Sequence, residues 1–545
     1  MKFQLCLLAS AMTISAHAQA SYEPFYISPL FTYSNEDVEF DESTAEIVSY
    51  DEQSQRFFVV NAQNDTIDVL KLDADEYKFE KDEDCNNGQL DMDLALVDGA
   101  PNSVAVKNGL VAVAIEADTK QDIGVIGFYN SADCSFIKKV DAGALPDMVT
   151  FSPNGKYAVA ANEGEPNDDY TVDPEGSITI VKLSDWSVTQ ADFTAFNSQE
   201  MELKQQGIRI FGPGASVAQD LEPEYISIIG RTAYVSLQEN NALAIVNLKK
   251  GKVTSIHALG TKDFSKYKNA LDFTNKDDTV NITTAPFVGM YQPDAIAAFK
   301  HYGHRYIVTA NEGDARDYDG FSEEIRVEDF GDGVNPDLDP DLAMSNDFTD
   351  GDVLGRPKTT NSTGDTDGDG DIDIIHLYGA RSISVWKFNH EGKLKLVADT
   401  GSTLEKAVAE QFPALFNATN DEDGIDDRSD DKGPEPEAII VEKIKGIPYA
   451  FVGLERSSQI AVFDLSDPYY PTLVQMFANR VAGANASKEL LDDDEPVVRP
   501  GLDLGPEGLD YIHANKSPIP GVALLAVANE VSGTTTLYTI KHRGY

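Results

Sequence analysis

Basic residues are scarce in this chain. Its 43 lysines and arginines face 92 aspartates and glutamates, a formal net charge of −49 at pH 7. That balance excludes nucleic acid as a partner, because a phosphate backbone needs a basic face. It argues equally against a bare anionic membrane surface. Cysteine is nearly missing. Cys6 sits in the apolar N-terminal stretch, which leaves Cys85 and Cys134. Those two can pair in an oxidising compartment but cannot alone build a thiolate metal centre. The eight histidines do not cluster beyond His301 and His304, so no zinc site is indicated. No later apolar run reaches the roughly 20 residues of a membrane span. The Gly-x-Ser-x-Gly elbow, the Walker loop, His-Glu-x-x-His, the dinucleotide glycine fingerprint and Cys-x-x-Cys-His are all missing.

What is present begins with a leader. MKFQLCLLASAMTISAHAQA carries one lysine, an apolar stretch and small residues at Ala16, Ala18 and Ala20, the pattern of a signal peptide over 1–20. The expected mature chain, 21–545, is one exported domain, periplasmic or extracellular, with no transmembrane segment and monomeric.

One unit recurs along it. A proline, a polar or acidic residue and alternating apolar residues appear as PNSVAV from Pro101, PDMVTF from Pro146, PEYISI from Pro223, PDAIAA from Pro293, PEAIIV from Pro436 and PEGLDY from Pro506. A degenerate copy, AEIVSY, starts at Ala45. Each is followed by a second strand, such as YAVAANEGE or YIVTANEGD, and usually a third, such as SITIVKL or SISVWKF. Short β-branched and aromatic runs bounded by Gly, Asn and Asp are strand signals. Helical periodicity is limited to short stretches near 198–207 and 404–412. The reading is all-β: a seven-bladed β-propeller. Its spacing is uneven, so long acidic insertions are expected on one face, at about 329–373, 417–432 and 488–500.

Acids recur at fixed points of the unit. Behind the proline stand Asp147, Glu224, Asp294, Glu437 and Glu507, with Asn102 in the same place. Closing the second strand stand Glu116, Glu163, Glu239, Glu312, Glu455 and Glu530. In a propeller these points approach the central channel. Two readings stand. Asp, Asn and Glu at strand edges serve as turn fixtures, or the acids gather near the axis and hold a divalent cation. A ring of like charges raises its members' pKa values unless cations or arginines offset it.

A separate motif, DTDGDGDID, places Asp365, Asp367, Asp369, Asp371 and Asp373 at calcium-loop spacing with Gly370 at the turn. Position twelve is His376, not the glutamate of a full EF-hand, so a calcium loop without flanking helices is expected. Arg316, Arg381 and Arg456 stand out as candidate catalytic residues among so many acids. They pair with carboxylates or grip an oxyanion.

The segments EGEPNDDY, TANEGDARDY, YGARSISVW, RSDDKGPEPEAIIV and GLERSSQIAVFDLSDP make the chain similar to the choice-of-anchor I family. That family includes mesenchyme-specific cell-surface glycoproteins and bacterial exported proteins labelled alkaline phosphatase. The resemblance implies a propeller of the lactonase and haem d1 type, with YVTN-like repeats. Two functions lead from residues and resemblance together, and lactonase-like hydrolysis by a few acids around one channel calcium stands third. One is calcium binding by an exported propeller at a cell surface or in the periplasm, another divalent metal being possible. The other is a metal-dependent phosphatase or phosphodiesterase, in which carboxylates hold the metal and arginine steadies the phosphoryl group. The partners are thus divalent cations and a phosphate ester or cell-surface ligand.

Overall fold

The computed structural model describes residues 23–35, 43–73, 78–90, 99–420, 424–482 and 502–543. The expected leader at 1–20 and the insertion at 488–500 lie outside the described residues. Among those described, seven four-stranded antiparallel sheets form. Their first strands are Val48–Asp51, Pro101–Lys107, Pro146–Phe151, Ile226–Ile229, Ile296–His301, Pro436–Ile444 and Pro506–Ile512. Each lies against the next, and the last lies against the first. That closed cycle of radial sheets is a β-propeller.

Strand composition follows position in the sheet. Second and third strands are largely apolar and mostly buried. Arg56–Asn61 is buried throughout, and Ala523–Asn529 likewise. Fourth strands face solvent; Ser187–Asp192 is exposed at all but one position. Such short polar edge strands carry little sequence signal, and the repeat pattern showed three strands per unit. The ring is closed by a strand ahead of the first repeat. Phe25–Ser34 pairs antiparallel with Thr534–His542 as the outer strand of the last sheet. Cys85 and Cys134 are disulfide-bonded across 49 residues, tying the first sheet's exit to the second sheet. In a chain-entropy treatment such a loop stabilises by about 4 kcal/mol.

The expected short helices form at Glu200–Gln205 and Thr403–Gln411. The expected acidic loop at 329–373 is more structured than its composition suggests. It contains a helix, Pro340–Ser345, and a strand, Lys358–Thr360. Phe348 and Ile372 from it pack with Phe264, Leu271, Phe273 and Phe287. The apolar partners lie well over 50 positions apart, so no local periodicity announces this second small core. A three-stranded sheet of Thr261–Asp263, Val288–Met290 and His376–Leu377 joins the two segments.

Candidate cation-binding site

The recurrent proline and acid have separate jobs. Pro101, Pro146, Pro436 and Pro506 each open an inner strand, where a missing N–H costs no ladder bond. The strand register shifts immediately after each: between Pro101 and Ser103, Pro146 and Met148, Pro436 and Ile439, and Pro506 and Gly508. The residue behind the proline therefore sits in a β-bulge, which frees its side chain from the ladder and re-aims it. Asn102, Asp147 and Glu507 reach one narrow cavity of 40 Å³, together with Glu46, Asp294 and Tyr225. That space suits a water molecule or a single ion.

The repeated Asn-Glu pair divides in the same way. Asn162 Nδ2 donates to Ser177 Oγ at 3.0 Å and Thr179 Oγ1 at 2.9 Å. Asn311 donates to Ser384 Oγ at 2.9 Å, and Asn529 to the Thr534 carbonyl at 3.1 Å. The buried asparagine is thus a fixture between second and third strands. The glutamate behind it is the group left to face the mouth.

The acids are buried and crowded. Asp294, Glu312 and Glu437 bring one carboxylate oxygen each within 4.8 Å of one another, and so do Glu312, Glu435 and Glu455. Burial, and then the charge of Glu239, holds Glu224 well above the usual carboxylate range. Burial followed by Glu165 does the same to Glu163, and burial followed by Glu455 to Glu437. Glu507 and Asp294 are raised well above their ordinary values, again by burial first. Asp147 and Glu239 are pushed up to about 7 and Glu455 to about 8. Glu224 Oε2, Glu239 Oε2, Glu437 Oε2 and Glu507 Oε2 are buried with no hydrogen-bond donor. Glu530 accepts from Ser43 Oγ at 2.5 Å.

Built-in cations occupy one arc of this mouth. Lys432 Nζ lies 2.7 Å from Glu312, 3.3 Å from Glu435 and 3.7 Å from Asp314. Arg428 reaches Glu435 at 2.6 Å, and Arg456 reaches Glu435 at 3.2 Å and Glu455 at 3.1 Å. Burial pushes Glu435 upward, but Lys432, Arg428 and Arg456 together outweigh it and hold its carboxyl far below the usual range. The opposite arc has Lys120, whose charge acts on Glu116, Asp147 and Glu46.

The other candidates lie elsewhere. Arg316 is buried, 2.6 Å from Asp220 and 2.9 Å from Glu222. Arg381 is buried, 2.9 Å from Glu405, and it also donates to the carbonyls of Asp272, Ser429 and Asp431. Both guanidiniums are committed to interior pairing; Arg456, one-third exposed, is the one at the mouth. In the Asp-rich loop, Asp365, Asp367 and Asp373 converge within 4.8 Å, and Asp371 converges with Asp373 and Asp339 instead. Asp369 accepts from the Asp371 amide at 3.2 Å. The proline-led repeats do not point to Glu46, Glu435, Lys120 or Lys432, which the fold brings to the mouth. Glu46 stands at the proline-plus-one offset of AEIVSY, where alanine replaces the proline. Lys432 and Glu435 flank Gly433-Pro434 in an insertion, outside the repeat, and carry no periodic signal.

Comparison with known proteins places the chain. Solved structures superpose weakly: hydrazine synthase of Kuenenia stuttgartiensis at a TM-score of 0.42 and 13% identity, covering 93% of this chain and 98% of that one. The WD40 domain of Toxoplasma gondii coronin gives 0.44 at 9% identity, covering 96% and 88%. The fold assignment rests on strand topology instead. Gigasin-3a of Magallana gigas is 30% identical over 181 residues, which are 32% of this chain and 60% of that protein. The mesenchyme-specific cell surface glycoprotein of Strongylocentrotus purpuratus is 30% identical over 113 residues, 18% of this chain and 14% of that protein. The choice-of-anchor I domain model matches residues 46–468, nearly the whole ring of repeats. The chain belongs to the choice-of-anchor I family.

Proposed function

We propose that this protein is an exported, seven-bladed propeller of the lactonase and haem d1 type that binds divalent cations, calcium foremost, at the acidic mouth of its channel. Its place is a cell surface or the periplasm. The leader-like N-terminus, the family and the printed name of the sea-urchin relative support that placement. The observation that carries the binding reading is the set of donorless buried oxygens on Glu224, Glu239, Glu437 and Glu507. An ionised carboxylate buried without a partner is strongly unfavourable. A divalent ion between two of them removes that cost. The donors are carboxylates without histidine or thiolate, which suits calcium or magnesium rather than zinc. The exposed convergence of Asp365, Asp367 and Asp373 is a second, weaker cation loop in this reading.

Calorimetric titration of calcium into chelator-stripped protein tests it. Wild type should bind, and Glu437→Gln or Glu224→Gln should lose the tighter phase. Asp367→Asn with Asp369→Asn should remove only the weaker one. Absence of any tight phase in wild type would sink the mouth site.

One observation favours hydrolysis of a phosphoric ester as a second reading: Arg456, partly exposed, adjoins the Glu312, Glu435 and Glu455 group. It could steady phosphoryl oxygens beside a carboxylate-held metal. Phosphomonoester and phosphodiester turnover, measured after chelation and again after calcium return, decides it. Turnover that needs calcium and falls in Arg456→Lys would support the reading; no turnover would end it.

A further inference from the structure

One part of the surface reverses the charge of the chain. The fifth sheet consists of Ile296–His301, His304–Asn311, Ser382–Phe388 and Leu394–Asp399. Near its turns Lys300 is the cross-strand partner of Arg305, and Lys387 that of Lys395. Like charges directly opposite each other are destabilising. Among the described residues no carboxylate pairs with any of the four, in a chain where 92 acids outnumber 43 bases.

Arg305 lines a cleft of 420 Å³ between the fourth and fifth sheets, a volume in the range of small-molecule sites. One wall is aromatic. Phe388 stacks on buried Tyr234, with ring centroids 6.1 Å apart and planes at 28°, and His257 meets Phe388 edge-on at 5.2 Å. Ser255 and His257 alternate along Lys252–Ala258 and so share a face. Ser255 Oγ lies 2.9 Å from His257 Nε2. No aspartate or glutamate lines the cleft. Beside the same turns, three tyrosines stand out of the surface: Tyr302 is 84% exposed, Tyr469 46% and Tyr470 75%. They belong to one patch. His301 meets Tyr302 at 4.1 Å and donates to the Ser466 carbonyl at 2.9 Å, and Lys387 Nζ lies 5.3 Å from the Tyr306 ring and 5.9 Å from the Tyr469 ring.

Each part has a chemical counterpart. An aromatic ring accepts the C–H face of a sugar, hydroxyl and imidazole groups bond its hydroxyls, and a free guanidinium grips a carboxylate or sulfate in forked geometry. We propose that this cleft binds a short acidic saccharide. Arg305 takes its carboxylate or sulfate, Phe388 its ring, and Ser255 and His257 its hydroxyls, while the exposed tyrosines extend the site along the sugar chain. The ligand is short because a net charge of −49 repels a long polyanion. The site stands apart from the channel and needs no metal.

Calorimetric titration in chelator tests it, with tetragalacturonate in one arm and a sulfated galactose tetrasaccharide in the other. Wild type should bind at least one, and the tighter of the two identifies the acid. Arg305→Gln should weaken that binding about tenfold or more; Arg305 is exposed, so the substitution leaves the fold intact. Phe388→Leu should weaken it as well, with melting temperature reporting whether that variant is folded. The channel variant Glu224→Gln, Glu437→Gln should bind like wild type, which separates this site from the cation site. Binding of neither acid, unchanged binding by Arg305→Gln, or equal binding of neutral maltotetraose would each overturn the proposal. Equally tight binding of ATP would overturn the saccharide assignment.

Discussion

The two arcs of the channel mouth use the same residue type to opposite effect. On one, Glu435 is fully buried yet held ionised far into acid, because Lys432, Arg428 and Arg456 converge on it. On the other, Glu224 is also buried, its Oε2 has no donor, and its neighbours Glu239 and Glu163 are acids. The protein thus carries three converging cations for one half of its ring and supplies the other half with Lys120, which leaves that half in deficit. Burial has the same sign in both places; the partner charge decides the outcome. A deficit of that kind is where an external cation binds with most gain.

The largest way to break the comparison is to remove the built-in cation. Lys432→Met takes the cation from buried Glu312 and leaves Glu435 to Arg428 and Arg456, and breaking a buried pair from one side costs about 3–5 kcal/mol. Denaturant unfolding should show that loss, partly restored by calcium; a loss no larger than a surface pair's would mean the arc is solvated.

Acidity and alkalinity should then separate the arcs. Asp147 and Glu239, on the deficit side, have raised pKa values, so between the unfolded carboxylate range and about 7 the folded state holds more protons than the unfolded. Stability in chelator should therefore fall as pH rises through 5–8, by roughly 1 kcal/mol per unit for each such proton. Glu435 has the opposite shift; its contribution is present above the usual carboxylate pKa and is lost only in strong acid. Calcium should flatten the fall. Melting temperatures across pH 5–9, with and without calcium, measure both; a flat profile in chelator would remove the deficit.

A smaller effect of reversed sign sharpens the point. Glu224→Gln deletes an uncompensated buried charge, and in chelator it should leave stability unchanged or raise it by about 1–2 kcal/mol. Calcium should add less stability to this variant than to wild type. Clear destabilisation in chelator would reveal a partner that Glu224 needs as a charge. Smallest of all, Lys516→Ala removes a half-exposed pair with Glu52, 2.5 Å apart beside the pocket that also contains Asp510 and His513. Exposed pairs are worth about 0–1 kcal/mol, and chemical denaturation should move by no more than that.

Much of this mouth was legible as spacing. Proline, an acid at the next position and a second acid closing the following strand recur at equivalent points of the ring, and rotation brings them together. The bulge behind each proline is what makes that position useful, and no residue in the strand announces it. The countercharges were not legible. Lys432, Arg428 and Glu435 come from a segment between two repeats, and the meeting of Lys432 and Glu435 with Glu312 spans more than a hundred residues of chain. Arg316 and Arg381 show the converse. Their acidic surroundings were visible in sequence, but only packing showed that both are sealed inside with dedicated carboxylates.

By itself the sequence determined the all-β class, the repeating strand unit and the acidic positions of the ring, because these depend on local alternation and a regular beat. Tertiary structure alone decided the closing of the ring by Phe25–Ser34, the second core under the insertions, and which acids are paired or in deficit. The reason is physical. Alternation is a property of neighbours along the chain, whereas burial and charge compensation are set by groups that meet only when distant segments fold onto one another.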